Sequence, residues 1–247
     1  MARTALRGRL TWQAGTVGEV IDETPTARTI ELAVPGWTGH RAGQHLDVRL
    51  TAEDGYVAER PYSIASAPGE SVAITVQRLP DGEVSPFLTR ELRAGDDLEL
   101  RGPIGGYFVW DGDPVPLLLL AGGSGVVPLR AMLRHRARTG SAAPARLLYS
   151  ARSLPDVIYR AELDSYQDSG PAGFDLIYTL TQEKPPGWTG HAGRVDPTLL
   201  AEVSWPAEHD PLAYVCGPTG FVEAVAQGLV MLGYPPGKVK TERFGGT

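Results

Sequence analysis

Arg60-Pro61-Tyr62-Ser63-Ile64-Ala65-Ser66 sets a cation, a flat aromatic ring and a small hydroxyl within four positions of one extended segment. An arginine presents a planar fork of donors that matches a phosphate. Side chains alternate along a strand with period two, so Tyr62 emerges on the same face as Arg60. A ring there can lie against another flat ring, and Ser63 can hydrogen-bond a heteroatom at that ring's edge. Phosphate plus planar heterocycle describes a flavin nucleotide. The plain structural reading of the same residues is a barrel strand with a core tyrosine and a surface ion pair between Glu59 and Arg60.

Two further units carry ligand chemistry. In Leu117-Leu118-Leu119-Leu120-Ala121-Gly122-Gly123-Ser124-Gly125-Val126-Val127-Pro128 an apolar strand runs into a glycine-rich turn that opens a helix. Glycines let the backbone approach a pyrophosphate, and free amides at a helix start favour an anion. The alternative is tight strand–helix packing. Tyr214-Val215-Cys216-Gly217-Pro218 repeats the logic near the C-terminus and sets a thiol at the carboxyl end of a strand, where α/β sheets bind ligands. A cysteine so placed also serves as a small buried hydrophobe.

The elements that position these units fall into two textures. Up to about Trp110 the chain reads as short strands, Val17–Asp22, Arg28–Val34, His45–Thr51, Arg60–Ser66, Val72–Arg78 and Asp97–Arg101, separated by Gly, Pro and Asp clusters. That spacing predicts an antiparallel barrel. One short helix interrupts it, with Ser85 as N-cap and Pro86 at the first helical position. Asp111-Gly112-Asp113-Pro114 reads as a linker, and Asp111 and Asp113 as turn residues rather than an acid–base pair. Beyond it, strands Val115–Ala121, Ala145–Ser150, Phe174–Thr179, Leu212–Cys216 and Lys238–Arg243 alternate with helices over Val127–Arg138, Pro155–Tyr166 and Pro218–Leu232. This is the rhythm of a doubly wound parallel sheet. The expected organisation is therefore a β-barrel domain over 1–111 and an α/β domain over 112–247.

Composition excludes several classes. The chain has 247 residues, ample for two cores. Its formal net charge of −6 offers no general attraction to nucleic acid or anionic membrane. Arg3, Arg7 and Arg9 read as a solvated end. No apolar run approaches the length of a bilayer span, and no signal peptide follows Met1. Cys216 is the sole cysteine, so the chain holds no disulfide framework and no cysteine-ligated iron–sulfur cluster. The five histidines lack metal-ligand spacing. A cytoplasmic monomer is expected.

Taken in order, the motifs resemble the ferredoxin–NADP⁺ reductase superfamily. Arg60-Pro61-Tyr62-Ser63 is similar to its flavin motif, Gly82-Glu83-Val84-Ser85 to its second phosphate-facing turn, and Gly102-Pro103-Ile104-Gly105 to a barrel signature. Gly122-Gly123-Ser124-Gly125 and Cys216-Gly217-Pro218 are similar to its nicotinamide-nucleotide motifs. The resemblance implies that Arg60 binds the FAD pyrophosphate, Tyr62 stacks on the isoalloxazine and Ser63 contacts its reactive edge. Gly82, Val84 and Ser85 would add donors at the phosphates, with Val76 and Arg78 on the strand lining the flavin. Gly123, Ser124 and Gly125 would meet the dinucleotide pyrophosphate. Cys216 would sit beside the nicotinamide, with Glu242 as its polar partner and Phe244 as a ring cover. Arg152 and Ser153 would hold a 2′-phosphate, and no acidic residue is read at that turn. Gln182 stands where many NADPH-using relatives carry arginine. The balance favours NADPH over NADH.

The implied activity is an FAD-dependent NAD(P)H oxidoreductase that splits a hydride into single electrons for a separate ferredoxin, orientation being the protein's main contribution. Direct reduction of free flavin or a ferric chelate is one alternative. An FAD-binding electron-transfer subunit of a larger complex is another.

Overall fold

The computed structural model describes residues 10–170 and 172–245. Arg3, Arg7, Arg9 and the segment read as lacking a signal peptide lie outside the described residues, as does Thr247.

The first half is a six-stranded antiparallel sheet of β1 (Gln13–Thr24), β2 (Ala27–Ala33), β3 (His45–Thr51), β4 (Val57–Ser63), β5 (Val72–Gln77) and β6 (Asp97–Ile104), ordered β4-β3-β6-β1-β2-β5. Its two edges meet. Ile64 bridges Ile74, and the Ala65 amide donates to the Ala73 carbonyl at 2.7 Å, which closes the barrel. Alternation puts Ile30, Leu32, Leu46, Val48, Ile74, Val76 and Leu100 inside, all essentially inaccessible to solvent. Pro61 lies on β4, an edge strand, where a missing N–H is tolerated.

The short helix α1 (Ser85–Arg90) has Val84 rather than Ser85 as its cap, with no side-chain capping bond. The Ser85 hydroxyl instead accepts the Leu79 amide at 3.0 Å.

The second half is a six-stranded sheet with helices on its faces. It contains β7 (Leu117–Gly122), α2 (Val126–Thr139), β8 (Ala145–Ala151), α3 (Arg160–Ser169), β9 (Phe174–Leu180), β10 (His191–Ala192), α4 (Pro197–Val203), β11 (Leu212–Pro218), α5 (Thr219–Met231) and β12 (Val239–Phe244). The order β10-β9-β8-β7-β11-β12 is parallel throughout and reverses direction between β7 and β11. That reversal is a topological switch point, where open α/β sheets bind ligands. Both glycine-containing turns noted in the sequence leave the sheet there.

The helix expected over Pro155–Tyr166 begins only at Arg160. Residues 157–159 are instead a buried plug, held by the Tyr149 hydroxyl accepting the Ile158 amide at 3.1 Å, and Tyr159 takes a left-handed φ of 61°. Helix α4 and strand β10 had no counterpart in the sequence reading. Asp196 caps α4 by accepting the Leu199 amide at 2.8 Å and Pro197 follows it, a readable start signal. No helix among the described residues is long and apolar enough to cross a membrane.

A buried polar chain crosses between the halves. The Tyr159 hydroxyl donates to Thr75 Oγ1, the Thr75 and Thr29 hydroxyls lie 2.8 Å apart, and Thr29 donates to Glu23 Oε1 at 2.6 Å. Arg130 lies 4.2 Å from the centre of the Tyr159 ring, pairs with Glu162 at 2.7 Å and donates to the Ala65 carbonyl of the barrel at 3.3 Å. Glu70 of the barrel adds an ion pair with Arg134 on α2 at 3.1 Å. In the linker, Asp111 pairs with Arg41, which holds its carboxyl below the usual range. Tyr159→Phe removes one buried hydrogen bond and should lower the unfolding free energy by about 1 kcal/mol, measured by urea denaturation. Unchanged stability would show that this chain does not hold the halves together.

Candidate functional site

On the barrel side, Arg60 is half exposed and its guanidinium is already engaged. Nη2 contacts Glu83 Oε2 at 2.6 Å, and Nη1 donates to the Glu59 carbonyl at 2.8 Å. The Glu59–Arg60 side-chain pair considered from sequence is therefore replaced by Arg60–Glu83, and the Glu59 carboxylate lies 3.7 Å from Arg101. Tyr56 also donates to Glu83, at 2.9 Å. Tyr62 is partly buried against the barrel core, and burial pushes its hydroxyl up to about 12 despite the opposing charge of Arg60.

Gly82, Val84 and Ser85 form one tight turn. A Cβ at Gly82 would lie 2.9 Å from the Ser85 hydroxyl, and Val84 is buried. Val76 is fully buried in the barrel. Arg78 turns to the far side, donating to the Pro25 carbonyl at 3.2 Å and lining a separate pocket with Asp22, Arg28 and Arg90. Strand alternation explains this, because Gln77 takes the opposite face and lines the interdomain cleft.

That cleft, of about 670 Å³, lies over the switch point. Gly122, Gly123, Arg152, Pro218 and Phe244 line it together with Gln77, Asp156, Thr181, Arg194 and Phe221. Gly125 faces away. A Cβ there would sit 2.0 Å from the Cys216 carbonyl oxygen, so only glycine lets the two turns cross. Ser124 is partly exposed at the start of α2, and Gly217 is buried behind Pro218. The Ser153 hydroxyl is spent internally, donating to Asp156 Oδ2 at 2.6 Å. Asp156 corrects the sequence reading that found no acidic residue at this turn; it also lies 3.9 Å from Arg152. Arg194 escaped sequence reasoning because it follows the unanticipated β10, whereas Gln77 was recoverable by shifting the strand phase one residue.

The two halves meet at Ser63, Cys216 and Glu242. Cys216 is 1% exposed and in register with Glu242 on the neighbouring strand. The Ser63 hydroxyl donates to Glu242 Oε1 at 3.4 Å, across the domain boundary. Burial raises the Glu242 carboxyl to about 7, with the Ser63 bond opposing. Burial, and secondarily Glu242, pushes the Cys216 thiol well up, so it stays protonated and is a poor nucleophile. Phe244 remains 38% exposed at the cleft mouth. Among the described residues no His, Cys, Asp and Glu cluster could hold a metal ion. Trp188 and Trp37 hold loops, Trp188 donating to the His191 carbonyl at 2.9 Å and Trp37 to His40 Nδ1 at 3.3 Å.

Fold and site together define a two-domain oxidoreductase of the flavin–nicotinamide kind. Residues 17–109 match the oxidoreductase FAD-binding domain model, and residues 119–227 the oxidoreductase NAD-binding domain model. Ferredoxin–NADP reductase B of Sorangium cellulosum is 38% identical over 215 residues, covering 82% of this chain and 84% of the relative. The glycine betaine monooxygenase reductase subunit of Chromohalobacter salexigens is 32% identical over 234 residues, covering 93% of this chain; the chain spans 63% of that relative's length. The flavohem-like FAD/NAD binding domain of nitric oxide dioxygenase from Vibrio cholerae superposes with a TM-score of 0.83 at 26% identity, covering 95% of this chain and 99% of that domain. This chain belongs to the ferredoxin reductase-like family of FAD- and NAD-binding oxidoreductases.

A carboxyl raised by folding binds a proton that the unfolded chain releases. Glu242 therefore makes stability fall as pH rises from the ordinary 4.5 to about 7, with the loss complete above that. Glu242→Gln should abolish this and gain on the order of 2–3 kcal/mol relative to wild type between about pH 4 and about pH 8. Urea denaturation at both values tests it; parallel pH profiles would mean that Glu242 titrates as an ordinary carboxylate.

Proposed function

We propose that the protein is an FAD-dependent NAD(P)H oxidoreductase that passes electrons to a separate ferredoxin-like carrier, with its working halves divided at residues 111 and 112. The observation that carries this reading is the Ser63–Glu242 contact, which joins the end of the Arg60–Ser63 segment to the strand whose Phe244 lines the switch-point cleft. The residues fit the two groups: an arginine already holding an anionic carboxylate, a ring and hydroxyl beside it, and a glycine-lined cleft at a parallel-sheet switch point.

When bound, FAD supplies the capacity to accept a hydride and release its electrons one at a time. Arg60 anchors the pyrophosphate, and the Gly82, Val84 and Ser85 turn contributes backbone donors. Pro61 stiffens the strand between Arg60 and Tyr62, Tyr62 covers the ring system, and Ser63 donates at its edge. Gly123 and Ser124 receive the dinucleotide pyrophosphate at the start of α2, while Gly125 permits the close turn. Cys216, Gly217 and Pro218 form the wall beside the nicotinamide, with Phe244 at the mouth. Glu242, poised near neutrality, holds or releases a proton at its carboxyl oxygen next to Ser63.

NADPH is the preferred nicotinamide substrate in this reading. Two arginines, Arg152 and Arg194, line the cleft, whereas its acidic residue Asp156 is already engaged by Ser153 and Arg152. Likeness to a monooxygenase reductase subunit supports a second reading, in which the acceptor is a partner oxygenase component. In either case the protein acts as a cytoplasmic monomer, a state that light scattering checks.

Purified protein should show the banded visible absorption of bound flavin, and anaerobic titration should bleach it at lower NADPH than NADH. Absence of flavin absorption even after FAD addition would sink the reading; bleaching by NADH first would reverse the nicotinamide assignment. Tyr62→Ala should weaken FAD binding by about 1 kcal/mol, roughly fivefold in Kd. Wild-type affinity in that variant would remove Tyr62 from the flavin site.

A further inference from the structure

The Arg60 guanidinium is held by a carboxylate of its own chain. Glu83 contributes Oε2 to Arg60 Nη2 at 2.6 Å and Oε1 to the Tyr56 hydroxyl at 2.9 Å. Glu83 projects from the Gly82–Ser85 turn, whose other polar side chain, Ser85, is turned inward to the Leu79 amide. Both Arg60 and Glu83 are about half exposed, at 50% and 48% of their side-chain surface, so the pair is free to open.

We infer that Glu83 is an internal competitor for the flavin phosphate: in the flavin-free protein it occupies the arginine that the nucleotide needs. This inference rests on the flavin reading above. A carboxylate and a phosphate oxygen make the same charge-assisted contact with a guanidinium, and one fork cannot serve both through the same nitrogens. Binding a phosphorylated flavin therefore requires Arg60 to release Glu83, or the new negative charge to sit beside the old one. In the first case, which is the latch, the apparent affinity falls by the fraction of molecules in which Arg60 is available; in the second it falls by like-charge repulsion alone. Tyr56 holds the closed arrangement by fixing the second carboxylate oxygen. Glu83 thus acts as a latch that keeps the phosphate anchor ordered and opposes the binding of phosphorylated flavins.

The test is a fluorescence titration of apoprotein with FAD, FMN and riboflavin. Glu83→Gln should tighten FAD and FMN binding about two- to fivefold, the range an exposed pair supports, and leave riboflavin, which lacks phosphate, unchanged. Tyr56→Phe should tighten FAD binding by a smaller factor. In an Arg60→Gln background, Glu83→Gln should have no effect; a full effect there would show action through space and overturn the latch. Equal or weaker FAD binding by Glu83→Gln, with far-UV circular dichroism intact, would also overturn it, as would an equal gain for riboflavin. A wild-type protein that binds no flavin would overturn the flavin reading and the latch with it, whereas FAD binding insensitive to Glu83 overturns the latch alone.

Discussion

The chemistry of this protein depends on two separately cored halves being held in one fixed relation. A buried line of hydroxyls from Tyr159 through Thr75 and Thr29 to Glu23 runs from the α/β half into the barrel. Each hydroxyl donates to the next and the line ends on a carboxylate, so every buried oxygen is satisfied in one direction. Such a chain tolerates little sliding, because a shift of one partner strands the others in a medium of low polarity. Arg130, covering the Tyr159 ring and reaching the Ala65 carbonyl, ties the same joint to the segment that follows Ser63.

That joint is what lets Ser63 reach Glu242. Neither residue is unusual inside its own half: one ends a barrel strand and the other lies on the last strand of a parallel sheet. Brought together, they create a carboxyl that burial lifts close to neutrality beside a thiol that burial keeps protonated. The site is thus built from desolvation more than from opposed charges. It favours a group that shares a proton over a reactive thiolate.

Charge is handled differently in the switch-point cleft and on the barrel surface. Near the switch point, Arg152 lies 3.9 Å from Asp156, which also accepts from Ser153, and Arg194 lines the same cleft. At the barrel, Arg60 and Glu83 neutralise each other on an exposed surface. The cleft is lined by two arginines and one carboxylate, whereas the barrel surface carries a matched ion pair.

Local chemistry alone determined much of this molecule. The change from short alternating strands to buried strands with helices marks two architectures. Glycine clusters after Ala121 and Cys216 announced the switch-point turns, since only residues without a Cβ permit so close a crossing. Arg60, Tyr62, Ser63 and Cys216 were legible as candidates from residue type and spacing, and Glu242 from the family resemblance. Long-range contact decided the rest. The phase of β5 put Gln77 at the cleft and Val76 inside the barrel, because the barrel interior claims the apolar side of that strand. The plug at Val157–Tyr159 displaced the start of α3 because its side chains bury against the sheet and barrel. Glu83 acquired partners, Arg60 and Tyr56, that sequence separation conceals. Periodicity and turn chemistry act over a few residues and can be read from the chain; burial, charge pairing and the proton affinity of Glu242 arise between residues far apart in sequence, and so belong to the folded structure.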